Sequence, residues 1–130
     1  MKKIILLLIN FVVFSNICAT AQTNKPSVVI TDFYFANIDT AVAKTINEYL
    51  INFFVETNKY RIIERTQLNK LLKEMRLSNS DLADAANAIK IGKLLSAYGI
   101  VVGTIIKFGS EIVINARLVE TQTGAIVRVT

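Results

Sequence analysis

Apolar positions along the chain change rhythm several times, and each change marks an element. Val28 to Tyr34 (VVITDFY) is a nearly continuous β-branched and aromatic run, which predicts a buried strand interrupted near its end by Asp32. Ala36 to Thr40 is loop, where Asp39 or Thr40 can cap the next helix through a side-chain oxygen. Val42, Ala43, Ile46, Tyr49, Leu50, Phe53 and Phe54 then recur at helical spacing. They predict a helix whose wide apolar stripe faces the core, with Lys44, Asn47, Glu48 and Asn52 on the other side. Asn58 suits the left-handed position that ends such a helix.

Tyr60 to Ile63 predicts a short strand. Thr66 can cap the following helix, in which Leu68, Leu71, Leu72 and Met75 form the buried face. Ser78-Asn79-Ser80 breaks the chain, and Ser80 or Asn79 can cap a third helix over residues 81–97 with Leu82, Ala85, Ala86 and Ile89 as its stripe. Gly92 costs about 1 kcal/mol against alanine in a helix interior, so it marks either close packing or a break between two short helices.

The period then falls to two. Tyr98 to Phe108 is a long strand, and Gly109-Ser110 has the length of a hairpin turn. From Ile112 to Glu120 one face carries Ile112, Ile114, Ala116 and Leu118, and the other carries Val113, Asn115, Arg117 and Val119. Thr121 to Gly124 is a second turn, followed by a third strand from Ala125. The order β-α-β-α-α-β-β-β predicts an α+β sandwich. Its mixed sheet of about five strands ends in an antiparallel meander, and three helices pack on it, on one face.

Composition adds an address. Met1 to Phe14 (MKKIILLLINFVVF) pairs two lysines with an apolar run, and Ala19-Thr20-Ala21 gives the small-x-small pattern of a signal peptidase site. The run is shorter than the roughly 20 residues a spanning helix needs. Residues 1–21 therefore read as a signal peptide, 22–27 as a polar leader and 28–130 as one domain. Cys18 is the only cysteine; Ser15 and Ile17 occupy the places where a lipidation signal wants Leu and a small residue, so a cleaved signal is the expectation over a lipid anchor. Cleavage at Ala21 leaves a chain without cysteine, held by packing alone.

Charge and residue types narrow the chemistry. The formal charge is +5, of which Lys2 and Lys3 contribute two, leaving +3 scattered and not interleaved with aromatics. Nucleic acid is therefore not an expected partner. The sequence has no histidine, so the common neutral-pH base, the common zinc ligand and every Ser-His or Cys-His pair are excluded. It contains no phosphate-cradling glycine motif. The expectation is a protein without catalytic residues, cofactor or metal.

Three stretches carry a resemblance: ERTQLNKLLKEMRLS, AIKIGKLLSAYGIVVGTIIKFG and INARLVETQTGAIV. Glu64, Arg65, Gln67, Leu68, Gly92, Gly103, Thr123 and Gly124, in this order and at these intervals, resemble the curli production assembly/transport component family, CsgG, over most of the chain after the signal. TolB amino-terminal, FlgO and penicillin-binding-protein-activator lipoprotein domains are similar in architecture. The resemblance implies a periplasmic location, possible self-association, and a role in envelope assembly or curli-type secretion through contacts with envelope or secretion proteins, with the membrane touched only by association. Arg65, Lys70, Lys73 and Arg76, or a free sheet edge, are the expected contact surface. The alternatives are a subunit of an outer-membrane secretion channel, should the chain continue past Thr130, and a regulator of a cell-wall synthase. The family's channel members insert a membrane hairpin after the strand that ends here at Phe108. Gly109 and Ser110 are too short for one, since membrane strands need about 9–11 residues each. The Glu64-Arg65 corner itself reads as structural, with Arg65 pairing a carboxylate or capping a carbonyl and Glu64 favouring the positive end of the next helix.

Overall fold

The structure is a computed structural model and describes residues 24–129. The signal segment 1–21, the start of the polar leader and Cys18 lie outside the described residues. Six strands form one sheet: β1 (Ser27–Ile30), β2 (Tyr34–Ala36), β3 (Arg61–Ile62), β4 (Gly99–Phe108), β5 (Glu111–Glu120) and β6 (Ile126–Val129). Their order is β3-β1-β4-β5-β6, with β2 beside β4. β1 and β2 pair parallel to β4, and β3 pairs parallel to β1. The β4-β5-β6 meander is antiparallel. The helices are α1 (Thr40–Glu56), α2 (Arg65–Met75), a 3-10 helix (Asn79–Ala83) and α3 (Ala85–Leu94). The α+β class, the mixed sheet and the final meander stand as the sequence predicts.

Two differences follow from register. The run predicted as one strand is two, because Ile30 pairs Val101 while Tyr34 pairs Thr104. Four steps along one side oppose three along the other, so one residue is extra, as in a bulge. Asp32 and Phe33 fall in that gap, and Phe33 turns into the core. Ala36, expected in a loop, is the last residue of β2.

The helices lie on both faces rather than on one. Val29, Ile100, Val102 and Val119 pack with Leu68 and Leu72 of α2, Leu82 of the 3-10 helix and Ile91 of α3. Val28, Ile30, Phe33, Val101, Ile105 and Leu118 pack with Phe54, Ile46 and Leu50 of α1. Successive strand residues point to opposite faces, so a strand apolar at every position, such as β1, needs cover on each.

The stripe of α1 is turned from its predicted direction. Ala43, Asn47 and Phe54 are buried, whereas Val42, Tyr49 and Phe53 are exposed. The apolar arc is wider than one sheet face can cover, and the sheet takes the side carrying Asn47. That residue, predicted to face solvent, accepts from the Phe33 N–H at 3.2 Å and donates to Asp32 at 2.9 Å. Asp39 caps α1, accepting from Ala41 N at 2.8 Å, and Asn58 takes the left-handed conformation as expected.

The third predicted helix is two helices. Ser78 and Asp81 form a capping box on the 3-10 helix, and Asp84 ends it and caps α3. Neither Asn79 nor Ser80 is the cap. The break sits at Asp84, not Gly92, and shifts the helical phase, so Ala88 and Ile91 are buried in place of Ala86 and Ile89. Gly92 is a packing residue: a Cβ there would overlap the Thr121 methyl. Glu64 rather than Thr66 is the N-cap residue of α2, and its side chain makes no capping bond.

Candidate functional site

The Glu64-Arg65 corner lies where the strand-to-helix turn meets the bulge. β3 is only two residues long, so the top of β1 has no neighbour strand on that side. Arg65 closes this opening. Its guanidinium pairs with Asp32 and, at 2.9 Å, with Glu48 of α1. Asn47 and Asn79 also approach Asp32, at 2.9 and 3.5 Å. The cluster thus ties α1, the β1-β2 bulge, α2 and the 3-10 helix together around the edge of the sheet. Burial opposes the Arg65 charge, but the hydrogen bonds and charges of Asp32 and Glu48 outweigh it and raise its pKa. Arg65 is therefore occupied within the fold.

The other predicted contact residues lie along α2 and at its end. Lys70 and Lys73 share the solvent face of α2. Arg76 sits beyond its end, in the left-handed C-cap position. The remaining motif residues have structural partners. Leu68 is core, and Gln67 is exposed on α2. Glu64 accepts from the Thr66 hydroxyl at 3.3 Å. Gly103 leaves the space the Phe33 ring fills. Thr123 donates to Glu120 and accepts from Ala125 N at 3.1 Å, while Gly124 takes the positive φ of +72° that closes the turn. Hydrogen bonds from Thr123 and then Tyr98 lower the Glu120 pKa, and the same bond to Glu120 raises that of Tyr98.

What sequence reasoning missed is the bare end of the sheet. The helix layers cover only its lower half. Beyond them Phe108, Ile112, Val113 and Ile114 of the β4-β5 hairpin are exposed, as are Tyr34 and Phe35 of β2. Register puts Val113 on one face and Ile112 and Ile114 on the other, so both faces are apolar. Among the described residues β6 pairs with β5 from Ala116 to Val119, and Glu111–Asn115 have no partner on that side. Glu120 N bonds Ala125 O on that edge, so strand alternation turns the N–H and C=O groups of Ile114 and Ile112 outward. The signal was present as two apolar faces on one strand, a pattern of burial on both sides or of an uncovered surface. Among the described residues no group of acidic, cysteine or histidine side chains has the arrangement to hold a metal ion, and no helix is long and apolar enough to cross a membrane.

Similarity to known proteins agrees with this architecture. The LpoB C-terminal domain from Escherichia coli superposes with a TM-score of 0.66 at 19% identity, covering 79% of this chain and 77% of that one. Lipoprotein GNA1162 from Neisseria meningitidis gives 0.62 at 15% identity, covering 80% and 81%. At these identities the likeness is one of fold. No curated protein matches the chain by sequence. Residues 17–113 match the family described as curli production assembly/transport component CsgG, and with most of its length inside that match the chain belongs to the CsgG family.

Proposed function

We infer that this chain is an exported, non-enzymatic CsgG-family domain that serves envelope assembly or curli-type secretion by binding other proteins. Its place is the periplasm, in association with the outer membrane. The single observation that carries the reading is the bare end of the sheet, which among the described residues is apolar on both faces and unpaired along Glu111–Asn115 of β5. Contiguous exposed apolar surface beside unpaired backbone groups is the usual form of a protein contact site. The signal-like residues 1–21 and the fold shared with a lipoprotein support the location. Lys70, Lys73 and Arg76 remain a second proposed contact face, without Arg65.

Photo-crosslinking groups placed at Ile112 and at Lys73 test this in cells. The expected result is a discrete adduct with an envelope or secretion protein from Ile112, lost in Ile114→Asp. Absence of any adduct at both positions would sink the reading.

A second reading, a subunit of an outer-membrane channel, draws on the same two-faced apolar hairpin. Its difficulty is length: the exposed run of β5 is Glu111–Asn115, about half of the 9–11 residues that cross a bilayer. Conductance of the purified chain in planar bilayers would favour it over the first.

A further inference from the structure

Between the 3-10 helix and the sheet lies a cleft of about 530 Å³. Its two walls carry opposite charge. On the β1 side Asp32 and Glu48 share the single cation Arg65, so that corner keeps an excess of negative charge. On the β5 side Arg117 donates to the Ala83 carbonyl and, among the described residues, pairs with no carboxylate. The positions beside it in the sheet are Val102 on β4 and Arg128 on β6. The acids of the neighbouring 3-10 helix segment, Asp81 and Asp84, cap helices instead. A guanidinium presents a fork of N–H donors, and one bond to a backbone carbonyl leaves most of that fork to be filled. Between the walls Tyr34 pairs Thr104, and Thr104 pairs Asn115, on the face that carries Arg117. Val102 and Ala83 add apolar lining, and Tyr34 is 56% exposed.

This polarity selects a ligand class. A planar carboxylate fills a guanidinium fork with two parallel hydrogen bonds. A phosphate dianion or a dicarboxylate would bring a second negative charge towards the Asp32 corner, with one arginine to hold both. A neutral ligand would leave the Arg117 charge unanswered. The fitting ligand carries one carboxylate at the Arg117 end and an uncharged body that reaches towards Tyr34. Adjacent strands are about 4.8 Å apart, so from β5 to β2 that body spans roughly 10 Å. Midway, the Asn115 amide and the Thr104 hydroxyl can each donate and accept, which matches an amide group in the ligand. The Tyr34 ring offers a stacking surface for an aromatic group. We propose that the cleft binds the carboxylate of an N-acylated amino acid, free or at the end of a peptide, with Arg117 as its anchor. This goes beyond the protein-contact reading and does not depend on it.

The test is titration of the full-length chain with N-acetyl-phenylalanine, followed by backbone amide chemical shifts. Saturable shifts are expected at Tyr34, Thr104 and Arg117. N-acetyl-phenylalaninamide, which keeps the body and lacks the charge, binds about tenfold more weakly. Arg117→Gln loses a similar factor, and Arg117→Lys, which keeps the charge without the fork, falls between. Tyr34→Ala weakens binding severalfold and keeps the parent melting temperature within a few degrees, since its side chain is exposed. The acid and its amide are compared on the unaltered chain, so a loss of the 3-10 helix in Arg117→Gln leaves the test standing. The acetylated tripeptide Ala-Ala-Phe separates the two sources: tighter binding than N-acetyl-phenylalanine assigns the site to peptide ends, and equal binding assigns it to the free acylated amino acid. No saturable shift, shifts confined to other residues, equal binding of the amide, undiminished binding by a folded Arg117→Gln, or tighter occupancy of the same residues by inorganic phosphate would each overturn the proposal.

Discussion

The two ends of the β4-β5 hairpin are built from the same residue types and live in opposite surroundings. At the lower end Ile100, Val101 and Val102 are sealed between α1 on one face and α2 with α3 on the other. At the upper end Ile112 and Ile114 are 45% and 42% exposed. Strand propensity and alternation are equal in both halves, so neither explains the difference. What differs is whether a helix is long enough and placed to reach. The lesson is that an apolar strand reports a need for cover, while the chain outside the strand decides whether the cover is internal or comes from a partner.

The largest expected effect divides two adjacent phenylalanines. Phe54 is 6% exposed and Phe53 is 54% exposed. Phe54→Asp buries an unpaired charge and leaves no folded domain by circular dichroism, while Phe53→Asp melts close to the parent. Similar melting of the two would show that α1 is rotated from the orientation described.

Next comes the comparison within the hairpin. Ile100→Ala costs about 2–5 kcal/mol in urea unfolding, and Ile112→Ala costs under about 1 kcal/mol. A large loss at Ile112 in the isolated chain would mean that the upper half is covered after all. Gly92→Ala is expected to cost about 1–3 kcal/mol through overlap with the Thr121 methyl. Adding Thr121→Ser removes that methyl but keeps the hydroxyl bonded to the Ala97 carbonyl, so it should recover much of the loss. Strict additivity in this double-mutant cycle would reject the contact.

Asn47→Ala removes the acceptor for the Phe33 N–H and a donor to Asp32, an expected loss of about 1–3 kcal/mol. Arg65→Ala should cost less, because its ion pairs with Asp32 and Glu48 are partly solvated and screened. The smallest effect is a pH dependence at the capping box. Hydrogen bonds from the Ser78 hydroxyl and then the Ser78 N–H lower the Asp81 pKa. A depressed folded-state pKa contributes stability above the unfolded value, about 3.9, and that stability is lost as pH falls through the folded value. Ser78→Ala should therefore flatten the acid limb below about pH 4 and leave stability at higher pH less sensitive to this carboxylate. An unchanged acid limb would count against the box.

Much of the architecture was legible because its signals are local. The period-two runs of β4 and β5, the Gly109-Ser110 turn and the leucine face of α2 depend on neighbours in sequence, and they stand where expected. The errors share one origin. The Asn47 side chain reads as polar and outward until Asp32 and the unpaired Phe33 N–H, 15 and 14 residues away, supply its partners. The Asp81–Ala97 helix reads as unbroken or broken at Gly92, until Asp84 ends one helix, caps the next and resets the phase. Arg65 reads as a contact residue or a structural pair, and only the approach of α1 to the sheet edge brings Glu48 to it.

The sequence alone determined the fold class, the order of its main helices and strands, the family, and the absence of histidine and cysteine chemistry after Cys18, since each is set by residue type and spacing. Tertiary structure alone decided which side of α1 is core, what Arg65 and Gly92 are for, and where the sheet is left uncovered. Those outcomes depend on how far one element reaches over another, a distance that no local pattern contains.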